Sequence, residues 1–183
     1  MDTFSRDDLV ELIYKKDGQM KCEVFTNKTV KTAEKMLKTF TANIRLDYHG
    51  VIDLTEVNDP LIPKDKRDKY QICAISFTGT QSEQRMKTRE DIMKRIESGQ
   101  INFGIINFVR CYDKKQCSTF KEPGSKAWVN SLIRTGSGAI FIDDSNDHYQ
   151  SVQSLNIKNL KAILFKGIKK DLLKIIDNID IPT

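Results

Sequence analysis

With 183 residues, the chain is long enough for one domain with at most a small extension, and 39% apolar and aromatic residues can bury a core. Its formal charge of +5 favours a phosphate-bearing partner but is too small to indicate nucleic-acid binding by itself. No apolar stretch approaches the roughly 20 residues that cross a bilayer, so we expect no membrane partner.

The first 40 residues stand apart from the pattern that follows them. In chain order, the predicted elements are a helix over 6–14, a turn at KKDG (15–18), a strand over 20–26 and a helix over 28–40. The turn is predicted from its Asp-Gly pair and the second helix from apolar residues at helical spacing. We therefore predict an N-terminal α/β extension, residues 1–40, packed on a main domain of residues 41–183.

From residue 42 onward, strand-like and helix-like segments alternate. The predicted strands are ANIRLD (42–47), QICAIS (71–76), INFGIINFV (101–109), AIFI (139–142) and AILF (162–165). The predicted helices are 82–97, 125–134, 146–154 and 168–178. Most of the strands are short and continuously apolar, as strands buried on both faces of a parallel sheet are. The alternation predicts an α/β fold with a doubly wound, mainly parallel Rossmann-like sheet sandwiched by helices.

The first strand of this alternating region contains a conflict. Asn43 and Arg45 alternate there with apolar residues, and a central strand should not bury an arginine that lacks a counter-charge. Either a carboxylate pairs with Arg45, or this strand is less central than the pattern predicts.

The four cysteines indicate neither a zinc site nor a disulfide framework. Their spacing, at positions 22, 73, 111 and 117, matches no zinc signature. Because no signal peptide is recognisable, we expect a reducing cytoplasm and free thiols.

Polar residues follow the predicted strands, at the edge where open α/β sheets bind their ligands. In chain order these residues are Asp47, Ser76 and Thr78, then Lys126 at the start of a helix, then Asp143 and Asp144. Three carboxylates at one edge repel one another unless a cation lies among them, and oxygen ligands favour Mg²⁺. A lysine and a hydroxyl would bind phosphate oxygens, and an aspartate can be the nucleophile that forms an aspartyl-phosphate.

Four segments resemble, in order, the motifs of the haloacid dehalogenase-like superfamily. They are LDYHGVID, ICAISFTG, GSKAW and AIFIDDSNDH, and the likeness covers roughly residues 42 to 165. The first and fourth motifs are the specific ones, because Asp-x-x-Gly-Val after a strand and Asp-Asp after another form a distinctive pair. The resemblance implies a magnesium-dependent phosphatase that hydrolyses a phosphomonoester.

The resemblance also implies a role for each residue at the strand ends. Asp47 would be the nucleophile and a metal ligand, and Asp143 and Asp144 would bind Mg²⁺ directly or through water. The backbone carbonyl of His49 would be a further metal ligand. Ser76, or Thr78 in its place, would hydrogen-bond the phosphoryl oxygens, and Lys126 would neutralise the nucleophile and the phosphate.

The sequence departs from the family at His49. The phosphatases of the family usually have a second aspartate there, which protonates the leaving oxygen and then activates water. An imidazole carries protons near neutral pH, so His49 would replace that acid with a different pH profile. Alternatively, the substitution marks a catalytically impaired binding module that retains the metal site and binds a protein or nucleic-acid partner. A third alternative is phosphoryl transfer to an acceptor other than water. The second histidine, His148, is predicted at the surface of a short helix.

The spacing of the motifs leaves no room for a large cap domain over the site. An open site suits a bulky phosphorylated substrate, such as a nucleic-acid end or a phosphoprotein. The run PKDKRDK (63–69) lies between the first two motifs, where it would either contact a polyanion or form a solvated loop.

Overall fold

A computed structural model describes residues 9–25, 43–61, 70–78, 82–102, 105–109, 139–154, 156 and 158–179. The strands are β1 Leu9–Lys16, β2 Gln19–Phe25, β3 Ile44–Asp47, β4 Ile72–Thr78, β5 Ile105–Val109, β6 Ala139–Asp143 and β7 Leu160–Leu164. The helices are α1 Ser82–Glu97, α2 Asn146–Gln153 and α3 Lys169–Asp177, and a 3-10 turn spans Ile52–Leu54. The helices predicted over 28–40 and 125–134 lie outside the described residues.

All of these strands belong to one seven-stranded sheet in the order β2-β1-β5-β4-β3-β6-β7. The strands from β5 to β7 in that order pair in parallel, which confirms a mixed α/β fold with a parallel sheet. Every residue of β3 and β6 is buried, as expected for strands that a parallel sheet covers on both faces. The predicted strand over 101–109 is shorter than expected and begins at Ile105.

The direction in which the chain adds strands reverses at β3. From β3 the chain moves to β4 and β5 on one side, and it then returns to place β6 and β7 on the other side. In open α/β sheets, the crevice at such a reversal is where ligands bind. The carboxyl ends of β3 and β6 flank this crevice.

β3 is central, so the alternative of a less central strand is wrong. Arg45 lies on it at only 2% exposure, with β4 on one side and β6 on the other. The sheet therefore buries this cation on one of its inner strands.

The prediction of a helix over 6–14 is wrong for its described part, because Leu9–Lys16 is strand β1. β1 pairs antiparallel with β2 and with β5, so residues 9–25 continue the main sheet as a hairpin. The hairpin turn follows the sequence prediction, because Asp17 and Gly18 both have positive φ, 52° and 78°, as a two-residue turn requires.

Glu11, in the segment predicted as a helix, is a buried carboxylate on strand β1. It is 1% exposed and accepts two hydrogen bonds from the guanidinium of Arg89 on α1, one of them 3.0 Å from Nε. This ion pair compensates the buried charge of Glu11, so a charged residue can occupy a buried position of β1. A charged residue at a buried position obscures the alternation of apolar and polar residues that identifies a strand.

The remaining helices agree with their predicted ranges and cover the sheet with apolar faces. Ile92 and Ile96 of α1, and Leu172 and Ile176 of α3, belong to the same core as the inner residues of β3, β4 and β6. Within the part of the chain that the structure describes, no helix combines the length and the apolar character needed to cross a membrane.

Candidate metal centre

Three carboxylates meet at the crevice where the strand order reverses. Asp47 is the last residue of β3, Asp143 is the last residue of the neighbouring β6, and Asp144 follows it. One carboxylate oxygen from each of the three lies within 4.8 Å of the others. Because parallel strands end at the same edge, two segments nearly a hundred residues apart in the chain contribute to one cluster.

The charges of this cluster require compensation. Asp47 and Asp143 are buried, whereas Asp144 is exposed. Two like charges at such a distance repel by roughly 3 kcal/mol at an effective dielectric constant of about 20. The donor set consists of carboxylate oxygens and lies partly open to solvent through Asp144, which suits a hard divalent cation.

The first turn of α2 fixes the buried carboxylate of Asp143. The backbone N–H of Ser145 donates to Asp143 Oδ1 at 2.9 Å, and Nδ1 of His148 lies 3.4 Å from Asp143 Oδ2. Ser145 also caps α2, because its Oγ accepts the backbone N–H of His148 at 3.4 Å. The prediction that His148 lies at the surface is therefore wrong: the helix cap brings its half-buried ring onto Asp143.

The turn after Asp47 is held by Asp53, a residue that the sequence analysis missed. The backbone N–H of Gly50 donates to Asp53 Oδ1 at 2.7 Å, and Nδ1 of His49 lies 3.8 Å from Asp53 Oδ2. The carbonyl of Tyr48 accepts the backbone N–H of Asp53 at 3.0 Å. No usual turn signal identifies this role, because an aspartate in a turn ordinarily accepts a backbone N–H from a residue that follows it.

Gly50 lets the backbone of this turn approach the carboxylate cluster. Its φ is +81°, and a Cβ placed on it would come within 2.7 Å of Cγ of Asp144. Only a glycine satisfies both the left-handed backbone and the close approach. The turn after β3 and the carboxylate after β6 are thus packed directly against each other.

Tyr48, immediately after Asp47, connects the turn to α1. Its hydroxyl donates to Asp91 Oδ2, which also accepts from Nε of Arg95 at 2.7 Å. Burial, together with the hydrogen bond to Asp91, raises the pKa of Tyr48. Burial alone would raise the pKa of Asp91, but the hydrogen bonds from Arg95 and Tyr48 outweigh it and lower that pKa.

The segment that continues from this turn is bound to the body of the protein by side chains. Nη2 of Arg95 donates to the carbonyl of Thr55 at 2.9 Å, and Nε2 of Gln100 donates to the carbonyl of Glu56 at 2.7 Å. Further along, Nζ of Lys169 lies 2.8 Å from Asp59 Oδ2. Residues 55–59 are therefore fixed by contacts with α1, with the residue Gln100 after it and with α3.

The remaining predicted site residues are placed less completely. Ser76 is buried on β4, and its hydroxyl makes no hydrogen bond to any residue that the structure describes. Asp47 pairs with Ile75, so the pleat directs the side chains of Ser76 and Asp47 to opposite faces of the sheet. Thr78 is the last residue of β4. The side chain of Thr78, the whole of Lys126 and the basic run 63–69 lie outside the described part of the structure.

Comparison of the chain with protein-family models, with curated proteins and with solved structures finds no match. The geometry of the crevice is therefore the basis for a functional assignment.

Proposed function

We propose that the protein is a magnesium-dependent phosphohydrolase that acts through an aspartyl-phosphate. Its catalytic domain would be a doubly wound, Rossmann-like domain with no large cap. One observation carries the proposal: oxygens of Asp47, Asp143 and Asp144 lie within 4.8 Å of one another at the crevice where the strand order reverses. The haloacid dehalogenase-like motifs that the sequence resembles supply the reaction that such a cluster would perform.

The metal would be held by the three carboxylates, with the His49 carbonyl as a further ligand. Two of the carboxylates are buried and the third is exposed, so a bound ion would retain access to water and to a phosphate oxygen. Bound Mg²⁺ supplies positive charge that offsets the repulsion between the aspartates and the phosphoryl group.

In the first half of the reaction, a carboxylate oxygen of Asp47 attacks phosphorus and forms a P–O bond. The bond from phosphorus to the ester oxygen breaks, and that oxygen leaves with the bonding electron pair and takes up a proton. His49 is the proposed proton donor, because it follows Asp47 by two residues and its side chain is 40% exposed beside the crevice.

In the second half of the reaction, water attacks the phosphorus of the aspartyl-phosphate. The His49 imidazole would take a proton from that water, and the Asp47 carboxylate would be released with inorganic phosphate. Lys126 would bind the remaining phosphoryl oxygens.

The substrate is proposed to be bulky, such as a nucleic-acid end or a phosphoprotein. The segment after Asp47 is described up to Leu61. Several hydrogen bonds join it to α1 and to the residues after that helix. Because the spacing of the motifs leaves no room for a large cap domain, the site would admit a substrate that extends away from the protein.

The decisive experiment compares the wild type with Asp47→Asn on a generic aryl phosphate and Mg²⁺ from about pH 5 to about pH 9. Glu56→Gln is the matched control, since Glu56 is an exposed carboxylate of the same segment. Turnover that requires both Mg²⁺ and Asp47, and persists in Glu56→Gln, supports the enzyme. Absence of turnover at every pH, with Mg²⁺ still binding, supports the binding module instead.

Two substitutions at His49 test whether its imidazole donates and accepts the proton in the reaction. If the imidazole is the acid and base, His49→Ala abolishes turnover while Mg²⁺ still binds. If His49→Asp raises turnover, the histidine is a poorer proton donor and acceptor at this position than an aspartate. Trapping with beryllium fluoride and Mg²⁺, which imitate an aspartyl-phosphate, reports on Asp47 independently of His49.

A further inference from the structure

The residue between the proposed nucleophile and the proposed proton carrier is anchored to a helix that contributes neither. Tyr48 is 4% exposed, and its hydroxyl donates to Asp91 on α1. The guanidinium carbon of Arg95 lies 5.9 Å from the centre of the Tyr48 ring, within cation–π range. The side chain is thus enclosed by one anion and one cation from successive turns of α1.

The same tyrosine contacts the part of the turn on which the chemistry would depend. Its ring meets the His49 imidazole edge to face, with centroids 4.9 Å apart and planes at 82°. Its carbonyl accepts the backbone N–H of Val51 at 3.4 Å and that of Asp53 at 3.0 Å. A displacement of Tyr48 would therefore move the imidazole and the backbone beside it.

The protonation states are suited to a permanent anchor. Although burial raises the pKa of Asp91, the hydrogen bonds from Arg95 and Tyr48 lower it overall, so the Tyr48 hydroxyl donates to an anion. A hydrogen bond to a charged acceptor is stronger than a neutral one, so this contact fixes the ring rather than merely filling space.

We propose that Asp91 and Arg95 are positioning residues for the proposed phosphohydrolase reaction, because through Tyr48 they hold the His49 imidazole in place on the turn that follows Asp47. This inference rests on the proposed function and deepens it. It assigns to α1, which carries no predicted catalytic residue, the alignment of the proton carrier.

The test uses the fact that the chain contains two histidines, His49 and His148. Proton NMR of the full chain therefore shows two imidazole Cε1–H signals, which His49→Gln and His148→Gln assign. The ring current of Tyr48 shifts the signal of His49. Tyr48→Phe removes the anchoring hydroxyl but retains the ring, so the His49 signal is expected to move toward its random-coil position, while the His148 signal stays.

Changes on the helix extend the test beyond the tyrosine. Asp91→Ala should move the His49 signal as Tyr48→Phe does. Asp91→Asn keeps an oxygen that accepts the hydroxyl and should rescue most of the shift. Glu90→Ala, an exposed neighbour on α1, should move neither signal. An unchanged His49 signal in Tyr48→Phe, or equal movement of both histidine signals in a folded variant, overturns the proposal.

Kinetics decide whether the alignment matters for the reaction. With the aryl phosphate, Tyr48→Phe and Asp91→Ala should lower kcat by about tenfold or more while KM changes less than about twofold. An unchanged kcat despite a shifted His49 signal overturns the positioning role. Absence of turnover in the wild type would instead refute the proposed function, and the NMR result would still show whether α1 fixes His49.

Discussion

Nδ1 of His148 lies 3.4 Å from Oδ2 of Asp143, while the other oxygen of that carboxylate accepts the N–H of Ser145. Both oxygens of a buried aspartate thus lie against the first turn of one short helix. Mutation of a group that orients a metal ligand typically lowers metal affinity by about ten- to a hundredfold.

We therefore expect His148→Gln to weaken Mg²⁺ binding by about tenfold, measured by isothermal titration calorimetry. His49→Gln is the matched control, because Nδ1 of the His49 imidazole lies 3.8 Å from Asp53, which is not one of the three clustered carboxylates, and it should change the affinity by less than about twofold. Equal affinities in all three proteins would show that the contact with Asp143 does not organise a metal site.

Gly50 provides a second test of the site. Gly50→Ala places a Cβ against Asp144 and strains a backbone with φ of +81°, at a cost of about 1–2 kcal/mol for the strain alone. Gly99→Ala has the same strain, φ +83°, but nothing within 4 Å of its Cβ. Both variants should lose similar thermal stability, and Gly50→Ala alone should lose Mg²⁺ affinity. Equal loss of affinity in both would mean that the approach to Asp144 is unimportant.

The repulsion among the three carboxylates predicts opposite effects with and without metal. Asp144→Asn removes one charge from the cluster, so without divalent ions the melting temperature should rise by about 2–4 °C for each kcal/mol of repulsion removed. The rise that Mg²⁺ produces in the wild type should shrink in this variant. Asp147→Asn, an exposed carboxylate outside the cluster, should keep the Mg²⁺ response. A destabilised metal-free Asp144→Asn would contradict this account.

The Tyr48 anchor predicts a pH dependence of stability. Because folding lowers the pKa of Asp91, its contribution is complete above the unfolded value near 3.8 and is lost as pH falls through the lower folded value. Asp91→Ala should therefore lower the free energy of unfolding by about 2 kcal/mol near neutral pH. Urea unfolding of both proteins should show that this difference declines below about pH 4. A difference that stays constant down to about pH 2 would show that Asp91 acts through packing rather than charge.

The ion pair between Glu11 of the hairpin and Arg89 of α1 predicts that substitutions at these two residues have strongly coupled effects on the free energy of unfolding. Arg89→Leu leaves the Glu11 carboxylate buried after loss of the guanidinium, which should cost about 3 kcal/mol or more in urea unfolding. Glu11→Leu combined with Arg89→Leu replaces both charges and should recover most of that loss. If the double variant is as unstable as Arg89→Leu, packing rather than charge explains the position.

The sequence predicted the elements whose signals are local. The predicted helix over 82–97 has the observed bounds, and the Asp17-Gly18 turn follows from residues with a strong turn preference. The proximity of Asp47 to Asp143 was also predictable, because both follow apolar strands and parallel strands end at one edge.

Features that depend on distant partners were not predictable in this way. The burial of Glu11 on β1 depends on its partner Arg89, which is 78 residues away. No local pattern therefore shows that Glu11 belongs to a buried strand. Tyr48 and Asp91 are 43 residues apart, and neither has a local motif. His148 was misplaced because the Ser145 cap, rather than helical periodicity, determines the direction of the first turn of α2.

α1 carries Arg89, which holds β1, and Asp91, which holds the turn after Asp47. β5 and β4 separate β1 from β3, so the two contacts join regions that do not touch within the sheet. Transient fraying of the hairpin would release Arg89 and loosen the helix beneath the turn. The amide hydrogens of both regions should therefore exchange with solvent as one cooperative unit.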